Sequence, residues 1–208
     1  MKILAKLSFI LLFLGIMAKS QERFEYKSIS EANKNPEKVL RLSLDHETGS
    51  LENIDWKKFR NLEYLSLKDL HLKKIPKGIT ALPKLKVLDV SGNDFKVLPP
   101  DFIKLTQLEE LFLNDENNID LSRNIDLLSK MKNLKVLHIE NDRLKKLPPN
   151  FWKLNYLESV YLNDNQLKEF DFPKEKINKL KNIYLNNNLF MPSDIDRLNT
   201  QYGTLLRF

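Results

Sequence analysis

The stretch that decides the fold is Leu85–Leu108, LKVLDVSGNDFKVLPPDFIKLTQL. Its apolar positions are Leu85, Leu88, Val90, Phe95, Leu98, Phe102, Leu105 and Leu108. Over the whole stretch this spacing fits neither a helix nor an alternating strand. It fits a short strand, a tight loop and a returning segment that all point apolar groups inward, and it returns when the sequence is shifted by 23 residues. Such a period predicts a solenoid.

Copies of the pattern, about seven in number, run from residue 39 to residue 190. Each LxxLxL segment predicts a short parallel strand, and stacked strands lie about 4.8 Å apart. The consensus LxxLxLxxNxLxxLPxxIxxLxx resembles the 23-residue type of the leucine-rich repeat family. Residues 31–44, EANKNPEKVLRLSL, are similar to the N-terminal cap of secreted bacterial members of that family. The resemblance implies an α/β solenoid, a horseshoe arc with a concave parallel sheet, an irregular or short-helical convex side and small helical caps at both ends.

An asparagine follows the strand in the regular copies, where the chain turns. We expect its amide to be buried and to bond backbone groups that would otherwise lack partners. The asparagines at this position are Asn93, Asn165 and Asn188. Glu47, Leu70 and Asp142 replace it elsewhere, so the row of asparagines is interrupted. Asp142 keeps hydrogen-bond acceptors, whereas the side chain of Leu70 has none.

The fourth copy, Leu108 to Met131, is irregular because 26 residues, and not 23, separate Leu108 from Leu134. Its run from Ser122 to Lys130, with Ile125 and Leu128 facing inward, predicts a longer helix on the convex side. An irregular turn inside a solenoid is as readily a harmless insertion as a contact surface.

A short helical cap is predicted before the first repeat, in residues 21–38. Ser28 and Glu31 have capping-box spacing, which indicates a helix from about Ile29 to Asn35 that ends before Pro36. A helix at this place would cover the apolar groups and the unpaired strand edge of the first coil.

A closing cap is predicted in residues 191–208. Ser193 and Asp196 have the spacing of a helix N-cap, and Gly203 is the expected end of the helix. We expect the remaining stub, residues 204–208, to pair with the last strand of the repeats.

The first twenty residues have the composition of a secretory signal peptide. Lys2 and Lys6 precede an apolar run at residues 7–17, and the small residues Ala18 and Ser20 follow it. The run contains 11 residues, whereas a membrane-spanning helix needs about 20. We therefore expect cleavage after Ser20 and a secreted or periplasmic product without a membrane span.

Charge and cysteine content narrow the range of functions. The chain has 34 basic and 28 acidic residues, a net charge of +6, and removal of residues 1–20 with their three lysines would leave +3. This small excess gives no argument for binding to nucleic acid. The absence of cysteine excludes a disulfide scaffold, a cysteine-ligated metal and a thiol nucleophile.

No catalytic pattern is visible in the sequence. His46, His71 and His138 lie in different copies without metal-ligand spacing, and there is no phosphate-binding glycine loop and no GxSxG motif. We expect a protein that is not an enzyme and has no cofactor and no metal. A hydrolase that uses an unrecognised carboxylate pair is the least favoured alternative.

The residue between the last two leucines of LxxLxL faces out from the centre of the concave sheet. Copy by copy it is Ser43, Ser66, Asp89, Phe112, His138, Tyr161 and Tyr184. The last four carry aromatic rings, which predicts one column about 14 Å long on adjacent strands. Such a column is typical of a binding hot spot, although cross-strand rings also stabilise a sheet.

The candidate binding residues are the rings and the polar residues beside them. They are Phe112, His138, Tyr161, Tyr184, Glu110, Asn114, Glu140, Asn163 and Asn186. We expect a monomeric module that displays a rigid concave face to a macromolecular partner, and the family resemblance favours a protein. Acids and amides beside rings also suit hydroxyl groups, so a carbohydrate or cell-envelope glycan is the alternative partner.

Overall fold

The computed structural model describes residues 25–45, 47, 49–116, 118–173 and 180–208 of the chain. Nine short strands in these residues form one sheet, in the order in which they follow along the chain. Their bounds are β1 Glu25–Tyr26, β2 Arg41–Ser43, β3 Tyr64–Ser66, β4 Val87–Asp89, β5 Glu110–Phe112, β6 Val136–His138, β7 Ser159–Tyr161, β8 Asn182–Tyr184 and β9 Leu206–Arg207. Each strand is parallel to its neighbours, which confirms the predicted solenoid.

The register of the sheet repeats the period of the sequence. Leu65 of β3 pairs with Leu88 of β4, and Leu88 pairs with Leu111 of β5. The next residue in this row is Leu137 of β6, and all four side chains are fully buried. Burial of a leucine side chain contributes about 1.5–3 kcal/mol, so this row is a main source of stability.

Short 3₁₀ segments form the convex side of the first, second, third and fifth repeats. They are Trp56–Lys58, Ile79–Ala81, Pro100–Lys104 and Phe151–Lys153. Each segment buries a large side chain, such as Phe102 and Phe151, against the core. Pro99 holds the preceding backbone extended, with φ −66° and ψ 149°, so the loop ends before the segment begins.

The fourth repeat places a helix, α2, where the others have a 3₁₀ segment. This helix lies between β5 and β6 along the chain. Its bounds are Leu121–Leu128, with Asp120 as the N-cap. Ile125 and Leu128 are buried, as the sequence predicts. The side chain of Asn124, which the sequence did not single out, accepts from the Leu98 N–H at 2.8 Å and donates to a backbone carbonyl oxygen of the third repeat. The extra residues therefore clamp the loop of the preceding repeat.

The N-terminal cap is a strand followed by one helical turn. Helix α1 is Ile29–Ala32, and the Ser28 hydroxyl accepts from the Glu31 N–H at 3.2 Å. The helix ends before the predicted Asn35, because Pro36 opens a separate 3₁₀ turn. Strand β1, which the sequence did not predict, pairs with β2 and covers its edge.

The C-terminal cap is helix α3, Pro192–Tyr202. It begins one residue before the predicted N-cap Ser193, because the fixed φ of proline suits the first helical position. Gly203, with φ +56°, ends the helix, and β9 then pairs with β8. The Tyr202 hydroxyl donates to the Phe172 carbonyl oxygen at 3.2 Å and ties this cap to the last loops.

The predicted signal peptide, residues 1–20, lies outside the described residues. Within the described part of the chain, no helix is both long enough and apolar enough to cross a bilayer.

Asn165 shows how the buried asparagines connect neighbouring turns. Its Oδ1 accepts from the backbone N–H groups of Asp142 at 3.1 Å and Leu144 at 3.0 Å. Its Nδ2 lies within hydrogen-bond distance of three carbonyl oxygens, those of Ile139 at 2.8 Å, Leu162 at 3.1 Å and Asn163 at 3.2 Å. Asn93 and Asn188 contact three carbonyl oxygens in the same way, and each accepts from one backbone N–H, that of Leu72 or Leu167. The amide of Asn165 thus contacts five backbone groups, and those of Asn93 and Asn188 contact four each.

Glu116 and Asp142 continue this row with carboxyl groups. The Asn93 N–H donates to Glu116 Oε1 at 3.1 Å, and the Glu116 N–H donates to Asp142 Oδ1 at 2.6 Å. The second oxygens, Glu116 Oε2 and Asp142 Oδ2, are buried and have no hydrogen-bond partner among the described residues. Burial raises the pKa of both carboxyl groups to about 8.

The backbone conformation of the loop differs where Leu70 and Asp142 replace asparagine. In both places the next residue adopts left-handed backbone geometry, with φ 51° at His71 and φ 55° at Arg143. Glu47 replaces asparagine in the first repeat, and its carboxylate accepts from the Ile29 N–H at 3.3 Å. This carboxylate therefore joins the row to the N-terminal cap.

Left-handed residues also lie three positions after the end of each strand from β3 to β8. They are Asp69, Gly92, Asp115, Asn141, Asp164 and Asn187. Asp, Asn and Gly are the residue types that tolerate this conformation best. The fit is tightest at Gly92, because a Cβ there would lie 1.9 Å from Asp69 Oδ1. Glycine at this position avoids that contact and adopts the left-handed conformation without strain.

Candidate binding face

The outward centre of the sheet is one continuous column of side chains in register. It contains Ser43, Ser66, Asp89, Phe112, His138, Tyr161, Tyr184 and Arg207. Arg207, at the C-terminal end, extends the column beyond the residues that the sequence singled out. At the other end Ser43 and Ser66 are buried, and both hydroxyls donate to Asp45.

The four rings of the column stack face to face. The ring centroids of Phe112 and His138 are 3.8 Å apart, those of His138 and Tyr161 are 4.2 Å apart, and those of Tyr161 and Tyr184 are 4.3 Å apart. The interplanar angles are 12°, 11° and 7°. Because the rings cover one another, they present their edges, and not their faces, to the concave side. We call these four residues the ring ladder.

His138 is the buried centre of the ring ladder, with 7% of its surface exposed. Its Nε2 lies 2.9 Å from Glu110 Oε1, and its Nδ1 lies 3.5 Å from Glu140 Oε2. The two carboxylates therefore fix the orientation of the imidazole ring between β5 and β6.

The polar residues after the strands form a second column beside the ring ladder. Asn114 Oδ1 accepts from the Glu140 N–H at 2.8 Å, and Asn163 Oδ1 accepts from the Asn186 N–H at 3.0 Å. Asn163 Nδ2 also donates to Glu140 Oε1 at 2.5 Å. The four side chains remain half-exposed, so they are held in place and still reach solvent.

The environment of the Tyr161 hydroxyl disfavours its ionisation. Burial raises the pKa of Tyr161 above its usual range, and the hydrogen bond to the Tyr184 hydroxyl and the charges of Glu110 and Glu140 raise it further. The phenol therefore stays neutral at physiological pH and can donate a hydrogen bond.

The N-terminal strands of the face have balanced charges. The Arg41 guanidinium lies 3.7 Å from the centroid of the Tyr64 ring, in a cation–π contact. The same guanidinium lies 3.7 Å from a carboxylate oxygen of Glu25. The outward central residues of β2 and β3 are serines, so this end of the face lacks the stacked rings of β5 to β8.

The histidines are not brought together. His71 is exposed and lies 3.4 Å from Asp94, while His138 is enclosed in the ring ladder. His46 lies outside the described residues. Within the described ranges, no group of three or more histidine, aspartate or glutamate side chains is arranged to hold a metal ion.

The stacked sheet defines the class of the protein, a solenoid built from short strand repeats. Residues 37–132 match the family model described as a leucine-rich repeat region, and the nine-stranded parallel sheet has the architecture of a leucine-rich repeat solenoid. The fold is similar to the crystal structure of human 5T4, also named Wnt-activated inhibitory factor 1 or trophoblast glycoprotein. That match has a TM-score of 0.57 and 20% identity, and it covers 83% of this chain and 78% of the other. A comparison with curated proteins found no match.

Proposed function

We propose that this leucine-rich repeat protein binds a protein partner on its concave face, around the ring ladder. The repeat class supports an interaction module in general terms. The observation that supports this face in particular is the ring ladder, an ordered aromatic surface outside the hydrophobic core. Its rings are fixed by stacking and by the hydrogen bonds of His138, so they lose little conformational entropy when a partner binds.

The orientation of the rings favours a protein over a carbohydrate. A sugar that packs on an aromatic side chain needs an open ring face, and the stacked neighbours cover the faces of His138 and Tyr161. Ring edges, tyrosine hydroxyls and asparagine amides remain, and they suit the mixed apolar and hydrogen-bonding surface of a protein.

The double substitution Phe112→Ser with Tyr161→Ser is expected to weaken binding of the partner at least about 100-fold, as loss of a hot spot does. The far-UV spectrum should stay unchanged, because both rings lie outside the core. Loss of the stacked pairs should lower the free energy of unfolding by about 1–3 kcal/mol. The partner is captured with tagged wild-type protein from the cells that produce it, identified by mass spectrometry, purified and titrated against each variant.

The matched control for this experiment is Val97→Ser with Ile103→Ser. Both side chains are 44% exposed and lie off the concave sheet. The control should bind the partner like the wild type. Unchanged affinity in the ring-ladder variant, or equal losses in both variants, would exclude the concave face as the binding site. Capture of glycan in place of protein would favour the carbohydrate alternative.

Export of the chain is a further part of this proposal, and it rests on residues 1–20. We expect the mature protein to begin at Gln21 after cleavage behind Ser20. Intact-mass measurement of the protein from the medium or the cell envelope checks this. A mature protein that keeps Met1 contradicts the proposed cleavage.

A further inference from the structure

The concave face of β4 to β8 carries acids and no lysine or arginine. Its outward positions are Val87, Asp89, Ser91, Glu110, Phe112, Asn114, Val136, His138, Glu140, Ser159, Tyr161, Asn163, Asn182, Tyr184 and Asn186. The whole chain has the opposite balance, with 34 basic and 28 acidic residues. This face therefore differs in sign from the rest of the protein.

The three acids of the face, Asp89, Glu110 and Glu140, are not neutralised by cations. Among the described residues, no lysine or arginine is within ion-pair distance of them. Glu110 and Glu140 share His138, and even its imidazolium form leaves that group of three with a net negative charge. The negative electrostatic potential of this surface is therefore open to a partner in solution.

The edge of the face at which the strands begin is neutral, in contrast. The residue before each strand alternates in sign through Glu63, Lys86, Glu109, Lys135, Glu158 and Lys181. Lys86 Nζ lies 3.0 Å from Glu63 Oε2, and Lys181 pairs with Glu158. Since the charges along this edge balance, they give a charged partner no net attraction, whereas the acids at the centre of the face do.

We propose that the partner contacts this face with an extended cationic segment, whose lysine or arginine side chains meet Asp89, Glu110 and Glu140. This inference rests on the proposed protein-binding function and adds the chemistry of the partner. The strands that carry these acids, β4 to β6, span about 10 Å, which an extended segment of about three residues covers. Opposite charges would speed the encounter and fix the register of the segment.

The carboxylates have unused hydrogen-bonding capacity. Side-chain exposure is 33% for Glu110 and 24% for Glu140, so oxygen atoms of both reach the surface. An ionised carboxylate accepts about four hydrogen bonds, and the bonds described for Glu110 leave room for a bidentate arginine. The covered ring faces offer no cation–π contact at His138 or Tyr161, so a cation is directed to the carboxylates.

The test uses a fluorescent twelve-residue peptide of alternating arginine and serine, and a matched peptide of glutamate and serine. We expect the cationic peptide to bind the wild-type chain despite the chain's own positive charge, and the acidic peptide not to bind. The variant Glu110→Gln with Glu140→Gln should bind the cationic peptide at least about tenfold more weakly, because two charged contacts are lost. Raising the salt concentration from 50 to 300 mM should reduce the wild-type affinity and remove most of this difference.

The control variant is Glu63→Gln with Glu158→Gln, which removes two acids from the edge at which the strands begin and should bind the peptide like the wild type. Equal binding of the cationic peptide by wild type and Glu110→Gln with Glu140→Gln would overturn the inference. So would undiminished binding of the captured natural partner by that variant, and in that case the proposed function stands if Phe112→Ser with Tyr161→Ser still loses the partner.

Discussion

Replacement of Asn165 by alanine is expected to lower the free energy of unfolding by about 3–5 kcal/mol. The amide satisfies five backbone groups, two N–H groups through Oδ1 and three carbonyl oxygens through Nδ2. The residue is 4% exposed, so water does not replace these bonds without opening the turn. Each buried polar group left without a partner costs about 1–3 kcal/mol, and partial relaxation of the loop keeps the total below the sum.

Urea unfolding followed by tryptophan fluorescence and by far-UV circular dichroism measures this loss. The control is Asn182→Ala, an asparagine on the concave face whose amide lies 3.5 Å from Ser159 Oγ. We expect the control to lose less than about 1 kcal/mol. A loss below about 1 kcal/mol for Asn165→Ala itself would show that the buried amide does not hold the turns together.

Asn165 also links stability to the proposed binding face. Its partners lie in the fifth and sixth repeats, and Asn163, two residues before it, donates to Glu140 on the concave side. Loosening this turn would therefore displace the polar column beside the ring ladder. Stability and binding are expected to fall together in this variant, unlike in the ring-ladder variant.

The repeat period made the sheet predictable from sequence. Inward leucines such as Leu88 and Leu111 recur at a fixed spacing, and parallel stacking then places equal positions of each repeat side by side. The same rule placed Phe112, His138, Tyr161 and Tyr184 on adjacent strands. The place of each residue in the column follows from the strand register alone, so it could be predicted without knowing the side-chain conformations.

Contacts between side chains could not be predicted in this way. The carboxylates that hold His138 come from Glu110, 28 residues earlier, and Glu140, two residues later, and only the packed geometry shows that both reach the ring. The face-to-face stacking of the rings likewise depends on rotamers. It changed the interpretation of the face, because stacked rings leave edges and not faces for a partner.

Glu116 was missed because the longer fourth repeat obscures its position. It lies three residues after Leu113, as Asn93 lies three residues after Val90, so counting from the strand would have found it. The composition of the segment instead suggested a loop insertion. The predicted bounds of the two cap helices were also inexact. Pro36 and Pro192 set helix boundaries that the capping spacings alone placed elsewhere.

The double substitution Glu116→Gln with Asp142→Asn is expected to stabilise the protein by about 2–4 kcal/mol at pH 7.5. Asp142 Oδ1 accepts the Glu116 N–H as Asn165 Oδ1 accepts the Asp142 N–H, so Asp142 Oδ2 corresponds to the amide nitrogen of Asn165. A carboxylate cannot donate at that position, whereas a protonated carboxyl group or an amide can. The buried oxygens without partners in Glu116 and Asp142 are consistent with this mismatch.

The sign of the pH dependence follows from the raised pKa values. Burial, with the charge of Asp142 on Glu116 and of Asp115 on Asp142, raises the pKa of each group from 4.5 and 3.8 to about 8. The folded state therefore holds protons that the unfolded state has already released. The stabilising effect of these protons is complete below about pH 4, falls as the pH rises, and is lost above about pH 8.

Urea unfolding at pH 5, 6, 7 and 8 separates this effect from ordinary surface titration. We expect the wild-type free energy of unfolding to fall across the series, and that of the double variant to change much less, because its amides do not titrate. Asp101→Asn, an exposed carboxylate paired with Lys104, is the control and should keep the wild-type slope. Parallel slopes in the wild type and the double variant would contradict the assignment. Since Glu116 and Asp142 lie two residues after Asn114 and Glu140, a confirmed slope would also mean that rising pH loosens the turns beneath the proposed binding face.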